Sequence, residues 1–318
     1  MLKFDVTEEF KTLVDYFEKS GGEPDVFKNS SVSTLLINGN KVLAKNVSEG
    51  VHVETIEMEE GVEVYLTIDD DVQMKNPVHM CFGLLHKKGT QKIISHYKIG
   101  KRVKVSFLAH CIFPNPEHIV HQMDADIYIG DESSLFYNEI HYHGNEGTID
   151  VLPKGKIKVG RGGKYFSEFK LVEGKVGNFD MDYVVDVDDN GVAELSTKLY
   201  GKQDDTIKVK ESIYLNGISS KGIAKTRIVN TDSSKSEVLG EVIGNGDYSR
   251  GHVDCTEIIE GNNASASAVP LVKVTNPKAK VTHEAAIGSV DKNQIETLMA
   301  RGLTENEAID IIIKGLLK

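Results

Sequence analysis

The sequence reads VDVDDNGVAEL from Val185 to Leu195, two short alternating strands around a tight polar turn. An earlier stretch, Tyr128–Leu135, reads YIGDESSL and repeats the order of strand, turn and strand. Alternation of apolar and polar residues is typical of a strand with one buried face, and Gly, Asn and Asp favour tight turns. Recurrence of this unit without a strict period predicts a β-solenoid, in which each coil buries its inward residues against the next.

The same alternation extends from about Val32 to Val281, in segments such as Val62–Ile68 and Ala125–Ile129. With 318 residues the chain exceeds the roughly 100–200 residues of one compact core, so we expect two domains or one elongated repetitive domain. The 29 glycines and the absence of tryptophan favour a mainly β protein. A β-sandwich has similar short strands, so periodicity by itself leaves sandwich and solenoid both open.

Helical spacing replaces the alternation at both ends of the chain. Between Thr7 and about Ser20, apolar residues recur three and four positions apart, and Gly21-Gly22 then ends the predicted helix. After Ser289 the same spacing predicts a helical hairpin. We therefore divide the chain into an N-terminal helical segment at 1–30, a β core at 31–288 and a C-terminal helical segment at 289–318.

The second helix of this hairpin carries more apolar surface than a terminal helix needs for packing alone. Its apolar side consists of Ile309, Ile312, Ile313 and Leu316. Such a surface indicates either a site for a partner protein or packing of the hairpin onto the end of the solenoid. The sequence favours neither interpretation over the other.

Charge and composition restrict the classes of partner and the compartment. Lys and Arg number 37 against 48 Asp and Glu, and this net charge of -11 argues against nucleic acid and anionic membranes. The first residues contain no basic segment followed by an apolar one, and no apolar run approaches the ~18 residues of a membrane span. We expect a cytoplasmic protein whose three distant cysteines, Cys81, Cys111 and Cys255, are reduced.

Two glycine-rich stretches resemble nucleotide-binding loops without their essential residues. In Gly160–Tyr165, tyrosine replaces the Ser or Thr that would hold magnesium, and Lys158 stands where the first glycine belongs. After Gly244-Asn245-Gly246, Ser249 occupies the place of the third glycine of the dinucleotide fingerprint. We therefore expect no ATP or NAD site in this chain, and any ATP hydrolysis must come from another subunit.

Glu139, His141 and His143 form a candidate metal site at alternate positions of one predicted strand. Side chains two apart project from the same face of a strand, and imidazole with carboxylate suits iron or zinc. A fourth ligand would have to come from elsewhere, and a solvated polar face explains the same pattern. The pairs His110-Cys111 and His79 with Cys81 stand in apolar strands, where we expect core packing.

The most specific segment runs from Gly251 to Gly315. It contains GHVDC at Gly251–Cys255, a Gly-Asn-Asn turn at Gly261, and AVPLVKVTNPKAKVTHEAAIG at Ala268–Gly288. This segment closely resembles the signature of the SufB/SufD family of iron–sulfur cluster assembly scaffolds. The chain is shorter than typical members and resembles a SufB-like, single-component form.

The resemblance implies a right-handed parallel β-helix with helical ends, whose core pairs with a second subunit. It implies that the C-terminal helical segment docks a SufC-like ABC ATPase, and that a sulfur donor and apo-protein recipients act with it. Positions matching Cys255 and Glu284 are implicated in the SufB branch, and the position matching His283 in the SufD branch. Because one chain holds all three, we expect a homodimer that carries a transient iron–sulfur cluster.

His283 and Glu284 are neighbours, so a regular strand would point them to opposite faces. We therefore hypothesise that Cys255 and Glu284 of one protomer meet His283 of its partner across a two-fold interface. Two other functions stay open, a non-catalytic adaptor that recruits an ATPase and a β-helix carbohydrate-active enzyme. A role of Cys81 or Cys111 in sulfur entry has no support in the sequence pattern.

Overall fold

The computed structural model describes residues 8–318, and Thr7, where the first helix was predicted to begin, lies outside this range. The helices are α1 (Glu8–Lys19), α2 (Lys292–Met299) and α3 (Glu305–Leu317), with a 3-10 helix at Pro24–Lys28. The first strands are β1 (Thr34–Asn38), β2 (Lys41–Asn46), β3 (Val51–Glu57), β4 (Gly61–Ile68), β5 (Val78–Gly83), β6 (Lys88–Ile99), β7 (Lys104–Phe113), β8 (His118–Ile129) and β9 (Ser134–His143). The others are β10 (Thr148–Val159), β11 (Lys164–Glu173), β12 (Asn178–Val187), β13 (Val192–Gly201), β14 (Thr206–Leu215), β15 (Lys221–Thr231), β16 (Lys235–Gly244), β17 (Arg250–Glu260), β18 (Ser265–Val274) and β19 (Lys280–Gly288).

From β4 onward, successive strands alternate between two sheets, and each strand pairs in parallel with the second strand after it. Ile157 pairs with Val185, and one coil near the end of the chain brings Val253 beside His283. This order describes a parallel solenoid of about eight turns. A sandwich would join neighbouring strands in antiparallel pairs, so the solenoid prediction is confirmed and the sandwich alternative is wrong.

Alternating side chains of both sheets fill the space between them. On β13, Ala193, Leu195, Thr197 and Leu199 are buried, whereas the residues that alternate with them are only partly covered. The same inward positions in neighbouring coils form one continuous apolar core that runs through the solenoid. Because the strand period is two, the register of each coil decides which residues enter this core.

One row of turns stacks along an edge of the solenoid, and both stretches that suggested the repeat lie in it. Glu132, Asn190 and Ser219 adopt left-handed backbone conformations there, with φ of 60°, 55° and 56°. Such a conformation costs an L-residue about 1–2 kcal/mol. Each of these residues donates its backbone N–H to a carbonyl of the next coil, as Asn190 does to Ile218 at 2.8 Å. These bonds between coils offset the strain.

The nucleotide-loop resemblance of Gly160–Tyr165 has a structural explanation in the same row. Gly160–Gly163 is the turn between β10 and β11, and Gly162 takes the left-handed conformation with φ of 63°. Tyr165 is fully buried in β11, and a strand follows the turn where a phosphate loop would have a helix. The glycines of this stretch therefore form a turn between two strands of the solenoid.

The two ends of the solenoid differ. At the first end, β2 and β3 add antiparallel to β1 and β4. At the other end, β18 and β19 are the outermost strands of the two sheets in the described part of the chain. Their side chains are largely exposed, including Val269 at 55% and Ile287 at 44%. The last coil therefore presents backbone edges and apolar side chains to solvent.

The N-terminal helix α1 covers the outer face of the sheet that contains β5 and β7. Leu13 and Phe17 are fully buried and pack with Phe27, Cys81 and other residues in a second apolar cluster. The helix ends at Lys19, and Gly21, with φ of 93°, then turns the chain so that Gly22 donates its N–H to the carbonyl of Phe17 at 2.9 Å. This agrees with the predicted stop at Gly21-Gly22.

The C-terminal hairpin packs on the outer face of the same sheet, against β13 and β15, and not on the open end of the solenoid. Ile313 and Leu317 are buried there, and Ile309, Ile312 and Leu316 are partly buried. Most of the apolar side of α3 is thus used within the chain, while Met299 and Ile311 stay exposed. In the part of the chain described, none of the helices is long and apolar enough to cross a membrane.

Two isoleucines of β15 test the assignment of inward and outward faces. Ile228 is fully buried in the core, and Ile223 is outward and 39% exposed. We expect Ile228→Ala to lower the free energy of unfolding by about 2–5 kcal/mol, because it leaves a cavity. The matched Ile223→Ala should cost less than about 1 kcal/mol. Urea unfolding followed by circular dichroism measures both, and equal losses would contradict the assigned faces.

Candidate functional site

Cys255 lies on the inner face of β17, at the open end of the solenoid. It alternates with Val253 and Glu257, and its side chain is 2% exposed. Burial, with the nearby Glu257 carboxyl as the next contribution, raises the pKa of the Cys255 thiol to about 12. At neutral pH the thiol is therefore protonated in the isolated chain, and it becomes a strong ligand once a metal or an acceptor removes the proton.

Glu257 is a neighbour of Cys255 that the sequence analysis missed. Its Oε1 lies 3.9 Å from the Cys255 Sγ, and its Oε2 accepts a short hydrogen bond from Ser236. Ser236 also accepts a 2.6 Å hydrogen bond from the Asn230 amide. Burial raises the pKa of Glu257. The spacing of two from Cys255 could have revealed this carboxyl, because both side chains then face inward.

His283 and Glu284 lie on β19, which pairs with β17 in parallel register. His283 is opposite Val253, so it shares the inner face with Cys255. Glu284 is opposite Asp254, on the outer face, where Asp254 is paired with Arg227 at 2.6 Å. Both β19 residues are exposed. Within one protomer, the register thus groups Cys255 with His283 and separates both from Glu284.

This grouping changes the hypothesis drawn from the sequence. The opposite orientation of His283 and Glu284 agrees with the register. However, His283 and not Glu284 is the residue that shares the face of Cys255 in the same protomer. Thiol, carboxyl and imidazole from Cys255, Glu257 and His283 therefore lie along the inner face of the last two strands of one sheet. Such donors can bind iron with different strengths.

The second candidate set, Glu139, His141 and His143, lies on the inner face of β9. Their exposures are 3%, 1% and 3%, so these residues belong to the interior and not to a solvated face. Burial raises the pKa of Glu139 to about 7 and lowers the pKa of His141 and of His143 to about 3. The imidazoles are therefore neutral at physiological pH, as metal ligands must be.

Two further residues that the sequence analysis did not include lie beside this set. Cys111 is the register partner of His141 on the adjacent strand β7. His121 comes from β8 in the opposite sheet, and its ring centre is 5.7 Å from that of His141. No local sequence pattern could have placed these residues together. Cys111 lies 30 positions before His141, and His121 comes from the opposite sheet.

The remaining cysteine, Cys81, lies in the apolar cluster under α1 together with Phe17, so the expected core packing of the Cys81 thiol is confirmed. On β7, Cys111 faces the core, and the neighbouring His110 accepts or donates a 2.7 Å hydrogen bond with Ser20 at the end of α1. Burial lowers the pKa of His110 to about 4.

The family model described as "SUF system FeS cluster assembly, SufBD core domain" matches residues 91–316. The chain belongs to the SufBD family. It is 35% identical over 316 residues to an iron–sulfur cluster assembly SufBD family protein of Pyrococcus horikoshii, covering 99% of this chain and 96% of that protein. A SufBD family protein of Methanocaldococcus jannaschii is 35% identical over 312 residues, with 98% of each chain covered.

The iron–sulfur cluster assembly protein SufD of Bacillus subtilis is also similar, at 22% identity over 329 residues, covering 97% of this chain and 66% of SufD. These relatives confirm the resemblance stated from Gly251–Gly315. Membership of the SufBD family supports a role in iron–sulfur cluster assembly.

Another buried carboxyl of this SufBD chain, Glu211, lies between the two candidate sites. Thr197 donates a 2.6 Å hydrogen bond to its Oε1, and Thr226 donates one of 3.3 Å to its Oε2. Burial raises the pKa of Glu211 from 4.5 to about 7, and the hydrogen bonds from Thr197 and Thr226 offset only part of this effect. The folded chain therefore binds this proton more tightly than the unfolded chain does.

Glu211→Gln should make the stability of this SufBD chain less sensitive to pH. The wild type loses stability as pH rises from about 4.5 to about 7, because folding then opposes ionisation of Glu211. Glutamine can accept the hydrogen bond from Thr197 and donate one from its amide nitrogen to the Thr226 hydroxyl oxygen, and it does not ionise. We expect the free energy of unfolding of the variant to exceed that of the wild type by an amount that grows through this pH range. The difference should reach at most about 3 kcal/mol above pH 7.

Urea unfolding at several pH values measures the difference between the two proteins. Glu237→Gln on β16, whose side chain is exposed, controls for the loss of one negative charge. A constant difference between Glu211→Gln and the wild type across the range would contradict the assignment.

Proposed function

We propose that this chain is a non-catalytic scaffold on which iron–sulfur clusters are assembled and from which they are transferred. The observation that carries this proposal is the grouping of Cys255, Glu257 and His283 on one inner face at the open end of the solenoid. Cys255 is covered, whereas His283 on the next strand is exposed. A cluster bound there would therefore have a buried thiolate anchor and an accessible side for transfer.

The ligand types suit a transient cluster. Thiolate binds iron–sulfur clusters strongly, whereas carboxylate and imidazole are harder ligands from which a cluster is released more easily. The proposed ligands are Cys255, His283 and Glu284. Glu257 is placed to accept the thiol proton of Cys255 or to act as a further ligand. The cluster is thus cargo of the scaffold and not a resident cofactor.

A homodimer through the solenoid core is part of the proposal. The edges of β18 and β19 have no further strand beyond them among residues 8–318. They carry exposed apolar side chains, Val269 and Leu271 on β18 and Ile287 on β19. Such edges are suited to pairing with another strand. A two-fold interface there would bring the cluster ligands of two subunits close together, and Glu284 could join a site from the partner.

The other partners follow from the family and from the surface of the hairpin. We propose that the segment 289–318 docks a SufC-like ABC ATPase, with Met299 and Ile311 as exposed apolar contacts. A sulfur donor supplies sulfide equivalents, and apo-proteins receive the finished cluster in the cytoplasm. An adaptor that only recruits the ATPase is the second candidate, and a carbohydrate-active β-helix enzyme is a third that the family match disfavours.

Anaerobic reconstitution with ferrous iron and sulfide distinguishes the scaffold from the adaptor. We expect the wild type to gain the visible absorption of an iron–sulfur cluster and Cys255→Ser to lose it, because serine is a poor cluster ligand. Cys81→Ser is the matched control, since Cys81 is buried under α1. Absence of a cluster in the wild type, or equal clusters in wild type and Cys255→Ser, would refute the scaffold.

Mixing variant subunits tests which ligands act within one protomer. If Cys255 and His283 act together and Glu284 comes from the partner, Glu284→Ala subunits should complement subunits carrying both Cys255→Ser and His283→Ala. About a quarter of the wild-type cluster content is then expected, since half of randomly formed dimers are mixed and each holds one intact site of two.

The reciprocal mixture checks the hypothesis drawn from the sequence. It combines His283→Ala subunits with subunits that carry both Cys255→Ser and Glu284→Ala. The register predicts no recovery here, because His283 shares the face of Cys255 in its own protomer. Recovery in this mixture and none in the first would show that His283 acts across the interface.

A further inference from the structure

Cys111, His121 and His141 form a cluster inside the solenoid, well away from its open end. One potential ligand atom from each lies within 4.8 Å of the other two, and all three residues are buried. Cys111 and His141 come from adjacent strands of one sheet, and His121 faces them from the other sheet. The three side chains thus come from both sheets and meet in the interior between them.

His121 is the residue that core packing explains least. It is fully buried, and neither ring nitrogen makes a hydrogen bond of good geometry within the described residues, where the Gln91 backbone offers only a weak one. A buried polar group without a partner costs about 1–3 kcal/mol. The ring is in contact with the rings of Phe113 and His141, at centroid distances of 4.7 and 5.7 Å. A metal ion in the cluster would give one of its nitrogens a partner.

The hydrogen bonds of His143 fix the tautomer of His141. The Lys175 carbonyl can only accept, so His143 donates to it from Nδ1 at 2.8 Å. The neutral His143 ring then accepts at Nε2 from the Nδ1 of His141, at 3.2 Å. His141 therefore carries its free lone pair on Nε2. This is the arrangement of a metal-binding histidine, whose other nitrogen donates to a supporting group.

Glu139 supplies a fourth donor next to that lone pair. Its Oε1 lies 2.9 Å from the His141 Nε2 and 4.0 Å from the Cys111 Sγ. Four bonds of ~2.0–2.3 Å in a tetrahedral site place neighbouring ligand atoms roughly 3.3–3.8 Å apart. Closing the cluster on an ion thus needs movements of about an ångström. One thiolate and one carboxylate would also balance the two charges of a divalent ion in this interior.

We propose that Cys111, His121 and His141, with Glu139 as fourth ligand, bind one divalent transition-metal ion of the zinc and ferrous-iron class inside the solenoid. Binding releases two protons, that of the Cys111 thiol and the one that Glu139 donates to the His141 Nε2, and no electron is transferred. His143 is a positioning residue that holds the His141 ring. The site contains one sulfur donor with nitrogen and oxygen donors, a set that suits these borderline ions better than magnesium or calcium.

Cobalt substitution of the full chain tests this site. The protein is unfolded in chelator under anaerobic reducing conditions and refolded with Co²⁺ alone. We expect one Co²⁺ per chain with a thiolate-to-cobalt charge-transfer band. Cys111→Ser should abolish the band, whereas Cys81→Ser, the matched buried cysteine under α1, should retain it. A refolded wild type without a Cys111-dependent band would overturn the proposal.

Zinc X-ray absorption of the wild type gives a measurement that does not depend on the folding of a variant. The expected shell contains one sulfur and two or three nitrogen or oxygen scatterers at the bond lengths of a four-coordinate site. A shell without sulfur would contradict the site. His143→Ala should weaken zinc affinity about 10- to 100-fold while leaving the same shell, because it removes only the supporting hydrogen bond.

His121→Leu separates metal binding from simple packing. Without metal, leucine removes two ring nitrogens that lack a hydrogen bond of good geometry, so the unfolding midpoint should stay or rise. With zinc, only the wild type should gain stability, since the variant lacks a ligand. An equal gain in both proteins would exclude His121 from the site. Cys255→Ser should lose the iron–sulfur cluster and keep the cobalt band, so this site and the proposed scaffold function can fail separately.

Discussion

Parallel pairing of each strand with the second strand after it is the constraint on which the rest of this structure depends. It makes every coil a template for the next, because a shift by one residue would move all inward side chains to solvent. The stacked turns hold the coils in register, with strained residues such as Asn190 bonded to the following coil. Rigid, repeated coils can therefore place single polar groups in the interior with a fixed spacing.

Polar side chains lie in the interior at three places along the solenoid. In the early coils, Glu139 and the histidines of β9 meet Cys111 from β7 and His121 from β8. Further along, Glu211 is held by two threonine hydroxyls, and at the open end Cys255 lies beside Glu257. Burial raises the pKa of each of these carboxyls, because it disfavours their charged form. The solenoid interior thus favours the protonated form of all three carboxyls.

The last coil differs from the others because nothing beyond it covers its strands within residues 8–318. Its exposed edges and apolar residues explain why a second subunit is part of the proposed function. The C-terminal hairpin does not close this end, since it packs against the side of the sheet. The proposed cluster assembly and the proposed ATPase docking would therefore occupy different surfaces of one chain.

The sequence by itself determined the alternating strands, the polar turns, the helix stop at Gly21-Gly22 and the family, through local patterns and the segment Gly251–Gly315. It also indicated Glu139, His141 and His143, because residues two apart share a face. Only the tertiary structure placed these residues in the interior and added Cys111 and His121 to them. It also separated Glu284 from Cys255, while His283 shares the face of that cysteine. The physical reason is that contacts between coils join residues about 30 positions apart, as Cys111 and His141 are, and no local periodicity records that register.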